Sequence, residues 1–156
     1  MLNIHIEKVI EDDLETINDI SISHWGDEGN YGLKRLKHIS DKGYSFCIKN
    51  NNEIIGFCLL EICDEECEIY LLAVKKGNEG KGYGTAILGY TMQNARNNGV
   101  HLFKLHVSTN NKAAIHLYKK FDFKEKKYIN DYYSSDDIDN NDAYLMTHDD
   151  FDHTFI

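Results

Sequence analysis

The sequence predicts a single domain of the mixed α/β (α+β) class, and three observations lead to that prediction. The chain has 156 residues, which suits one domain with a sizeable core. Segments with the two-residue period of strands alternate along it with segments of helical period. No internal repeat and no linker-like composition interrupts this succession. We therefore expect one domain over residues 1–148 and an acidic C-terminal tail over residues 149–156.

The first elements follow from hydrophobic period and from capping residues. Leu2, Ile4 and Ile6 alternate with polar residues, which predicts an N-terminal strand. Asp12 or Asp13 is expected to cap the helix that follows, because a carboxylate accepts hydrogen bonds from the first free N–H groups of a helix.

The next elements are a short helix and a hairpin. The helix is predicted around residues 33–39, with Gly43 ending it. Two β-rich runs, at 44–49 and 53–63, are joined by three asparagines, which is typical of a hairpin connection.

The second half of the chain continues the alternation. A strand is predicted at 68–74, and a segment with four glycines at 75–84 leads into a helix at 85–97. The remaining elements are a strand, a helix and two further strands, predicted at 101–107, 112–120, 123–130 and 140–147.

Charge is unevenly distributed along the chain. The net charge is -9, yet eight aspartates and no Lys or Arg occur from Asp131 onward, so the first 130 residues are close to neutral. A nucleic-acid-binding protein should present a basic face, and this balance argues against one. The acidic C-terminal third has two interpretations: it attracts a cationic substrate such as an amine, or it is a solvated loop and tail.

Cysteine usage and hydropathy indicate a reducing, soluble compartment. Cys47 and Cys58 lie in apolar, strand-like runs and are expected in the core. Cys63 and Cys67 flank an acidic turn, but no second Cys or His pair follows at zinc spacing, so no metal site is expected. No signal peptide and no apolar run of membrane-spanning length is found, which favours a cytoplasmic protein without a membrane partner.

The segment from Val74 to Leu88 passes from a predicted strand through glycines into a predicted helix. Glycines ahead of a helix allow backbone N–H groups to approach an anion, and the helix dipole adds to the attraction. Lys75, Lys76 and Lys81 supply positive charge nearby. A phosphate group is therefore the favoured ligand, with a plain flexible loop as the alternative.

Two common phosphate motifs do not fit this segment. A Walker loop requires Ser or Thr after its Gly-Lys pair, whereas Gly82 follows Lys81 here. The dinucleotide fingerprint requires a third small residue where Ile87 stands.

Two motifs at a fixed separation carry a resemblance to a known family. The loop Glu79–Gly84 matches the pattern x-x-G-x-G/A, the segment Asn111–Tyr118 matches N-x-x-A-x-x-x-Y, and Phe123 stands where a Gly-Phe pair is usual. In this order the motifs resemble the GNAT superfamily of N-acetyltransferases, over residues 3 to 148. The resemblance implies a mixed, mostly antiparallel sheet of six to seven strands flanked by about four helices, with acetyl-CoA as co-substrate.

Two positions depart from the family pattern. Glu79 stands where Gln or Arg is usual, so its charge should weaken the cofactor site without abolishing it. Asp122 replaces the usual Gly, and Asp adopts the left-handed backbone conformation more readily than most residues.

The resemblance also implies a set of site residues. Tyr118 matches the general acid that protonates the CoA sulfur; its alternative is an aromatic core residue on a helix. Backbone N–H groups near Leu72–Val74 would stabilise the oxyanion. Together the residues expected to bind acetyl-CoA are Leu72, Ala73, Val74, Glu79, Gly80, Lys81, Gly82, Tyr83, Gly84, Thr85, Asn111, Ala114 and Tyr118.

Two residues compete for the role of general base. His106 lies twelve residues before Tyr118, where the similar ribosomal-protein N-terminal acetyltransferases have a Glu, and histidine accepts protons near neutral pH. Glu68 lies on the strand that leads into the glycine loop, where many family members place a carboxylate. The alternatives are a structural histidine and a solvent-facing strand residue.

The C-terminal third suggests the acceptor. Tyr132 and Tyr133, followed by the segment Asp142–Met146, resemble the tyrosine loop and following strand of protein N-terminal acetyltransferases, in which the tyrosines close over a peptide. Trp25 and Tyr31 are further candidates for the acceptor groove.

Tyr70 shares a strand face with Glu68 and completes the set of expected substrate residues. For the paired tyrosines the alternative is ordinary exposed aromatics, and for Trp25 and Tyr31 it is packing between the first two helices. Three functions remain open: acetylation of a peptide α-amine, acetylation of a small amine (polyamine, aminoglycoside or amino acid), and non-catalytic binding of acyl-CoA.

Overall fold

A seven-stranded sheet with helices on both faces forms the protein. The structure is a computed structural model that describes residues 3–133 and 142–152. The strands are β1 (Ile4–Lys8), β2 (Phe46–Asn50), β3 (Glu53–Cys63), β4 (Glu66–Val74), β5 (Leu102–Ser108), β6 (Lys124–Ile129) and β7 (Ala143–Asp149). The helices are α1 (Leu14–Trp25), α2 (Leu33–Ser40), α3 (Tyr83–Asn97) and α4 (Lys112–Lys120), with single 3-10 turns at Glu11–Asp13 and Gly26–Gly29.

The strand order across the sheet is β1-β2-β3-β4-β5-β7-β6. All neighbours are antiparallel except β4 and β5, which are parallel. The predicted mixed, mostly antiparallel sheet with about four helices is therefore confirmed.

The asparagine turn between β2 and β3 matches its prediction. Asn51 and Asn52 have φ angles of 50° and 69°. Two consecutive positive φ angles are the requirement of the tight hairpin turn whose twist suits antiparallel strands, and asparagine tolerates them better than most residues.

The predicted cap of α1 is wrong for Asp13. Its carboxylate makes no capping bond to the helix; instead it accepts a hydrogen bond from the N–H of Ile10 at 2.9 Å and pairs with Lys49 at 3.0 Å. Because Lys49 is itself buried, it needs a carboxylate partner more than the helix end needs a cap.

The sheet divides the core into two apolar clusters. The cluster beneath α1 and α2 contains Ile17 and Leu36, and the cluster beneath α3 and α4 contains Ile87, Met92 and Phe103, all with no exposed surface. Cys47 and Cys58 are buried, as predicted. Within residues 3–133 and 142–152, no helix combines the length and the apolar character that a membrane span requires.

The two parallel strands separate soon after they meet. Only three residue pairs join them, of which Glu68 opposite Lys104 is the last. β4 continues from there to Val74 and β5 to Ser108 without further pairing. An opening therefore lies between the two strands in the middle of the sheet.

A β-bulge lies at the same place on β4. Leu59 pairs with Leu71, but the next residue, Leu60, pairs with Ile69, so Tyr70 is an extra residue on β4. Such a bulge bends the strand and reverses which face its side chains occupy.

The bulge changes the face on which β4 packs. Cys67 and Ile69 belong to the cluster beneath α3 and α4, whereas Leu71 and the partly buried Tyr70 belong to the cluster beneath α1 and α2. Glu68 lies between Cys67 and Ile69, so it shares the α1 and α2 face with Tyr70. The strand thus places a carboxylate and a phenol side by side at the opening.

The chain after β7 is held by a charged cluster. Asp150 accepts hydrogen bonds from Arg96 Nε at 3.0 Å, from His101 Nδ1 at 3.0 Å and from His148 Nε2 at 2.6 Å. Burial opposes ionisation of Asp150, but these hydrogen bonds outweigh it and lower the pKa to about 2. Asp150 therefore connects to the end of α3 a segment that the sequence predicts to be an acidic tail.

Replacing Asp150 by Asn should destabilise the fold by about 2 kcal/mol at pH 7, because charged hydrogen bonds from three donors are weakened. The pKa of Asp150 is lower in the folded than in the unfolded chain, so its contribution is complete above about pH 4 and is lost as pH falls through about 2. Urea unfolding of both proteins at several pH values measures the difference. Asp41→Asn, which removes an exposed pair with Lys37, is the control and should change stability by less than about 1 kcal/mol.

Candidate active site

His106 and Glu68 form one unit at the opening. The Nδ1 atom of His106 lies 3.0 Å from Oε1 of Glu68, and both side chains are partly buried. Because a carboxylate accepts and does not donate, Nδ1 carries the hydrogen of this bond, and in the neutral ring the lone pair is left on Nε2. The sequence presented these residues as competing bases; the structure joins them as an imidazole and the carboxylate that orients it.

Tyr132 covers this pair. Its ring stacks on the imidazole of His106 with a centroid separation of 4.5 Å and an interplanar angle of 11°. A stacked ring restricts the orientation of the imidazole and excludes water from one of its faces.

Tyr31 and Tyr70 continue the same surface. Their rings meet edge to face at 5.6 Å, and burial raises the pKa of both phenols above the usual tyrosine value. Arg35 of α2 lies over them, with its guanidinium carbon 4.9 Å from the ring centroid of Tyr70 and 5.9 Å from that of Tyr31. Sequence reasoning missed Arg35, because it lies in no motif and only the packing of α2 brings it here.

Trp25 lies at the end of α1 and is 38% exposed. Its ring is 5.4 Å from that of His24. His24 Nε2 donates a hydrogen bond of 2.6 Å to the carbonyl oxygen of Val74 and so attaches α1 to the last residue of β4. The sequence contained no signal for this contact, which joins residues 50 positions apart.

The segment that carries Tyr132 and Tyr133 is held at its base by Asp142. The Asp142 carboxylate accepts hydrogen bonds from the Tyr128 hydroxyl and from the backbone N–H of Asp131, the latter at 2.8 Å. These bonds tie the end of β6 to the start of β7 and fix where the paired tyrosines begin.

Tyr133 connects the two sides of the opening. Its ring contacts that of Tyr132 at 4.9 Å, edge to face. Burial raises the pKa of Tyr133, and the nearby phenols of Tyr132 and Tyr31 raise it further. Tyr133 also contributes to the raised pKa of Tyr118, so its hydroxyl lies within electrostatic range of α4.

Tyr118 lies on the α3 and α4 side of the sheet. It is 7% exposed and packs against Phe123 with ring centroids 5.7 Å apart. Burial raises the pKa of Tyr118 well above the ordinary tyrosine value, with Cys58 and Tyr133 adding to the increase. The phenol therefore keeps its proton at all physiological pH values, as a proton donor must.

The glycine loop has the backbone conformation that glycine alone adopts readily. Gly77, Gly80 and Gly82 have φ angles of 94°, 75° and 86°, and Gly82 directly precedes the first residue of α3. The first bond of the helix runs from the N–H of Ala86 to the carbonyl of Gly82. The three N–H groups before Ala86 consequently have no acceptor within the helix and point out of its N-terminus.

Of the lysines near this loop, Lys75 is engaged elsewhere, in an ion pair with Glu53. Lys76 and Lys81 are exposed, as is Glu79. Lys76 and Lys81 are therefore the lysines of this segment that can offset the negative charge of Glu79.

Gly84 serves close packing at the start of α3. A β-carbon there would lie 3.5 Å from Leu117 and 3.7 Å from Val74, so the helix approaches both α4 and the end of β4 closely. Leu72, Ala73 and Val74 form that end of β4, beyond its last pair with β5. The other expected cofactor residues, Tyr83, Thr85 and Ala114, lie in the first turns of α3 and α4.

Two motif residues have a local structural reason. Asn111 caps α4, since its side chain accepts a hydrogen bond from the N–H of Ala114 at 3.2 Å. Asp122, which stands in place of the usual Gly, has a φ angle of 63°, which agrees with the expected left-handed conformation.

Comparison with known proteins identifies the family. Residues 10–123 match the model of the acetyltransferase (GNAT) family. The chain belongs to the GNAT family. The matched segment runs from Ile10, the residue before the first 3-10 turn, to the residue before β6, and it contains Glu68, His106 and Tyr118.

Relatives of this GNAT protein share about a quarter of its residues. An uncharacterized N-acetyltransferase of Methanocaldococcus jannaschii is 26% identical over 80% of this chain. The match covers only 62% of the length of that relative. The ribosomal protein bS18-alanine N-acetyltransferase of Escherichia coli strain K12 is 28% identical over 65% of this chain and 68% of its own length.

Solved structures support the fold. The crystal structure of the Escherichia coli ribosomal-protein-S18-alanine N-acetyltransferase has a TM-score of 0.82 at 24% identity and covers 94% of each chain. Arabidopsis thaliana Naa50, solved with a bisubstrate analogue in which CoA is joined to an acetylated MVNAL peptide, has a TM-score of 0.78 at 24% identity, covering 92% of this chain and 97% of its own.

Proposed function

We propose that this GNAT protein transfers the acetyl group of acetyl-CoA to the α-amine of a protein or peptide N-terminus. The observation that carries the proposal is the stacked group of Glu68, His106 and Tyr132 at the opening between β4 and β5. It places a proton acceptor, oriented by a carboxylate and covered by an aromatic ring, in the middle of the sheet.

Acetyl-CoA is proposed to bind on the α3 and α4 side. Its pyrophosphate lies against the N–H groups at the start of α3, where the turn through Gly80 and Gly82 lets an anion approach the backbone. The arm that carries the thioester follows the unpaired edge of β4 toward Leu72–Val74. An N–H group there stabilises the oxyanion that forms when the thioester carbonyl is attacked.

The acceptor amine enters from the α1 and α2 side. His106 Nε2 takes a proton from the ammonium form, directly or through water, while Glu68 stabilises the imidazolium that results. The free amine attacks the carbonyl carbon and a C–N bond forms. The nitrogen then releases its second proton to solvent, and the C–S bond breaks. In this mechanism the two residues form a base and its positioning carboxylate.

Tyr118 is proposed to protonate the leaving thiolate of CoA. Its position on the cofactor side of the sheet supports a donor role. CoA–SH and the N-acetylated acceptor are the products, and the phenol recovers its proton from solvent.

The acceptor surface supports a peptide. Two aromatic pairs, Tyr31 with Tyr70 and Tyr132 with Tyr133, form a tyrosine wall on the side of His106, where Tyr132 stacks on the imidazole. Both named relatives from Escherichia coli and Arabidopsis act on or bind proteins or peptides, as their names state. The proposed domain covers residues 1–148.

The substrate class is tested by comparing kcat/KM for short peptides having a free α-amine with kcat/KM for spermidine. We expect the peptides to be better by about tenfold or more, because the tyrosine wall adds contacts that spermidine cannot make. Peptides of the same sequence with a blocked N-terminus are the control and should not react. A wide preference for spermidine would instead support the small-amine alternative.

Replacing His106 by Gln should lower kcat/KM by about 100-fold, because the group that takes the proton from the amine is lost. Glu68→Gln should lower the rate less, and the double variant should be little worse than His106→Gln alone, since the residues act as a unit. His38→Gln, at an exposed position of α2, is the control. A kcat/KM for His106→Gln close to that of the parent protein would contradict its assignment as base.

Replacing Tyr118 by Phe removes one hydroxyl and should reduce kcat by about 100-fold while acetyl-CoA still binds, because only the proton donor is lost. Single-turnover rates together with calorimetric binding of acetyl-CoA separate the two effects. Tyr90→Phe, at an exposed ring on α3, is the matched control. An unchanged turnover rate would exclude Tyr118 as the acid, and binding without turnover in the parent protein would favour the non-catalytic alternative.

A further inference from the structure

Arg35 is a cation at the acceptor surface that the proposed reaction does not use. Its side chain is exposed, and its guanidinium lies over the rings of Tyr70 and Tyr31. Among residues 3–133 and 142–152, no carboxylate forms an ion pair with it. Glu61 and Glu28 act electrostatically on the same tyrosines, but neither pairs with the arginine.

The position of Arg35 relative to Glu68 is constrained by β4. Tyr70, which the guanidinium covers, lies two residues after Glu68, a distance of about 7 Å along a strand. Both charges act on the pKa of Tyr132. Burial raises this pKa most, Glu68 raises it further, and Arg35 lowers it. The Tyr132 phenol is thus within electrostatic range of both the carboxylate and the guanidinium.

The two charges suit different parts of one acceptor. In the proposed reaction the Glu68 and His106 pair receives the amine of the first residue of the peptide. Arg35 then faces the second residue of that peptide. A guanidinium offers a planar pair of N–H donors that matches a carboxylate, and stacking on two rings holds that plane in place before the acceptor binds.

We propose that Arg35 is a specificity-determining residue that selects peptides with Asp or Glu at the second position. This inference rests on the proposed peptide acetylation. When the α-amine of a peptide lies at His106, the side-chain carboxylate of its second residue lies about as far from the amine as Tyr70 lies from Glu68 along β4. Arg35 pairs with that carboxylate and leaves the chemistry of the amine unchanged.

The test measures kcat/KM for three peptides that differ only in having Glu, Gln or Lys at the second position. The parent protein should prefer Glu to Gln by about tenfold and disfavour Lys, as one charged hydrogen-bonded pair is worth that ratio. In Arg35→Gln the ratio of Glu to Gln should fall to about one. In Arg35→Glu the preference should reverse toward the Lys peptide.

Lys34→Gln is the matched control, since it removes an exposed cation from the adjacent position of α2 and should keep the parent ratio. Reversal in Arg35→Glu cannot arise from misfolding, which would slow all three peptides alike. Equal rates with the three peptides in the parent protein, or a Glu preference that survives in Arg35→Gln, would overturn the role of Arg35 while leaving peptide acetylation intact. Failure of the parent protein to acetylate any peptide would refute the proposed function itself.

Discussion

The separation of β4 from β5 is the constraint on which the rest of the molecule depends. Each strand retains one full partner, since β4 pairs with β3 over most of its length and β5 pairs with β7 from Leu102 to Ser108. The sheet therefore stays continuous although the two strands share only three pairs. The bulge at Tyr70 bends β4 where its pairing with β5 stops. Backbone groups and side chains of both strands therefore become accessible in the middle of the sheet and not at its outer edge.

The opening divides the chemistry between the two faces of the sheet. Tyr118 and the start of α3 lie on one face, whereas His106, Glu68 and Tyr132 lie on the other. Tyr133 contacts Tyr132 on one side and is in electrostatic range of Tyr118 on the other. In the proposed mechanism the two substrates enter from opposite faces of the sheet and meet at the opening.

Local features were predictable from the sequence, and long-range contacts were not. The bounds of α4, the asparagine hairpin and the left-handed Asp122 follow from period and from turn chemistry, which act over a few residues. The union of Glu68 with His106 joins positions 38 apart through the register of two parallel strands, and no pattern in the sequence encodes that register. The prediction that Asp13 caps α1 is wrong for the same reason, because its partner Lys49 comes from β2, which is distant in the sequence.

In the acidic C-terminal third, the partners of the aspartates decide how strongly this part of the chain attracts a cation. Asp142 holds Tyr128 and Asp131, Asp150 is surrounded by Arg96 and two histidines, and Asp152 pairs with Lys124. Asp150 and Asp152 are thus paired with cations, so these two carboxylates contribute little attraction to a polycation. The acceptor surface itself carries charges of both signs, Glu68 beside the imidazole and Arg35 over the tyrosines. A peptide with an amine at one end and an anionic side chain beyond it matches this pattern, whereas a polyamine places a second cation against the guanidinium.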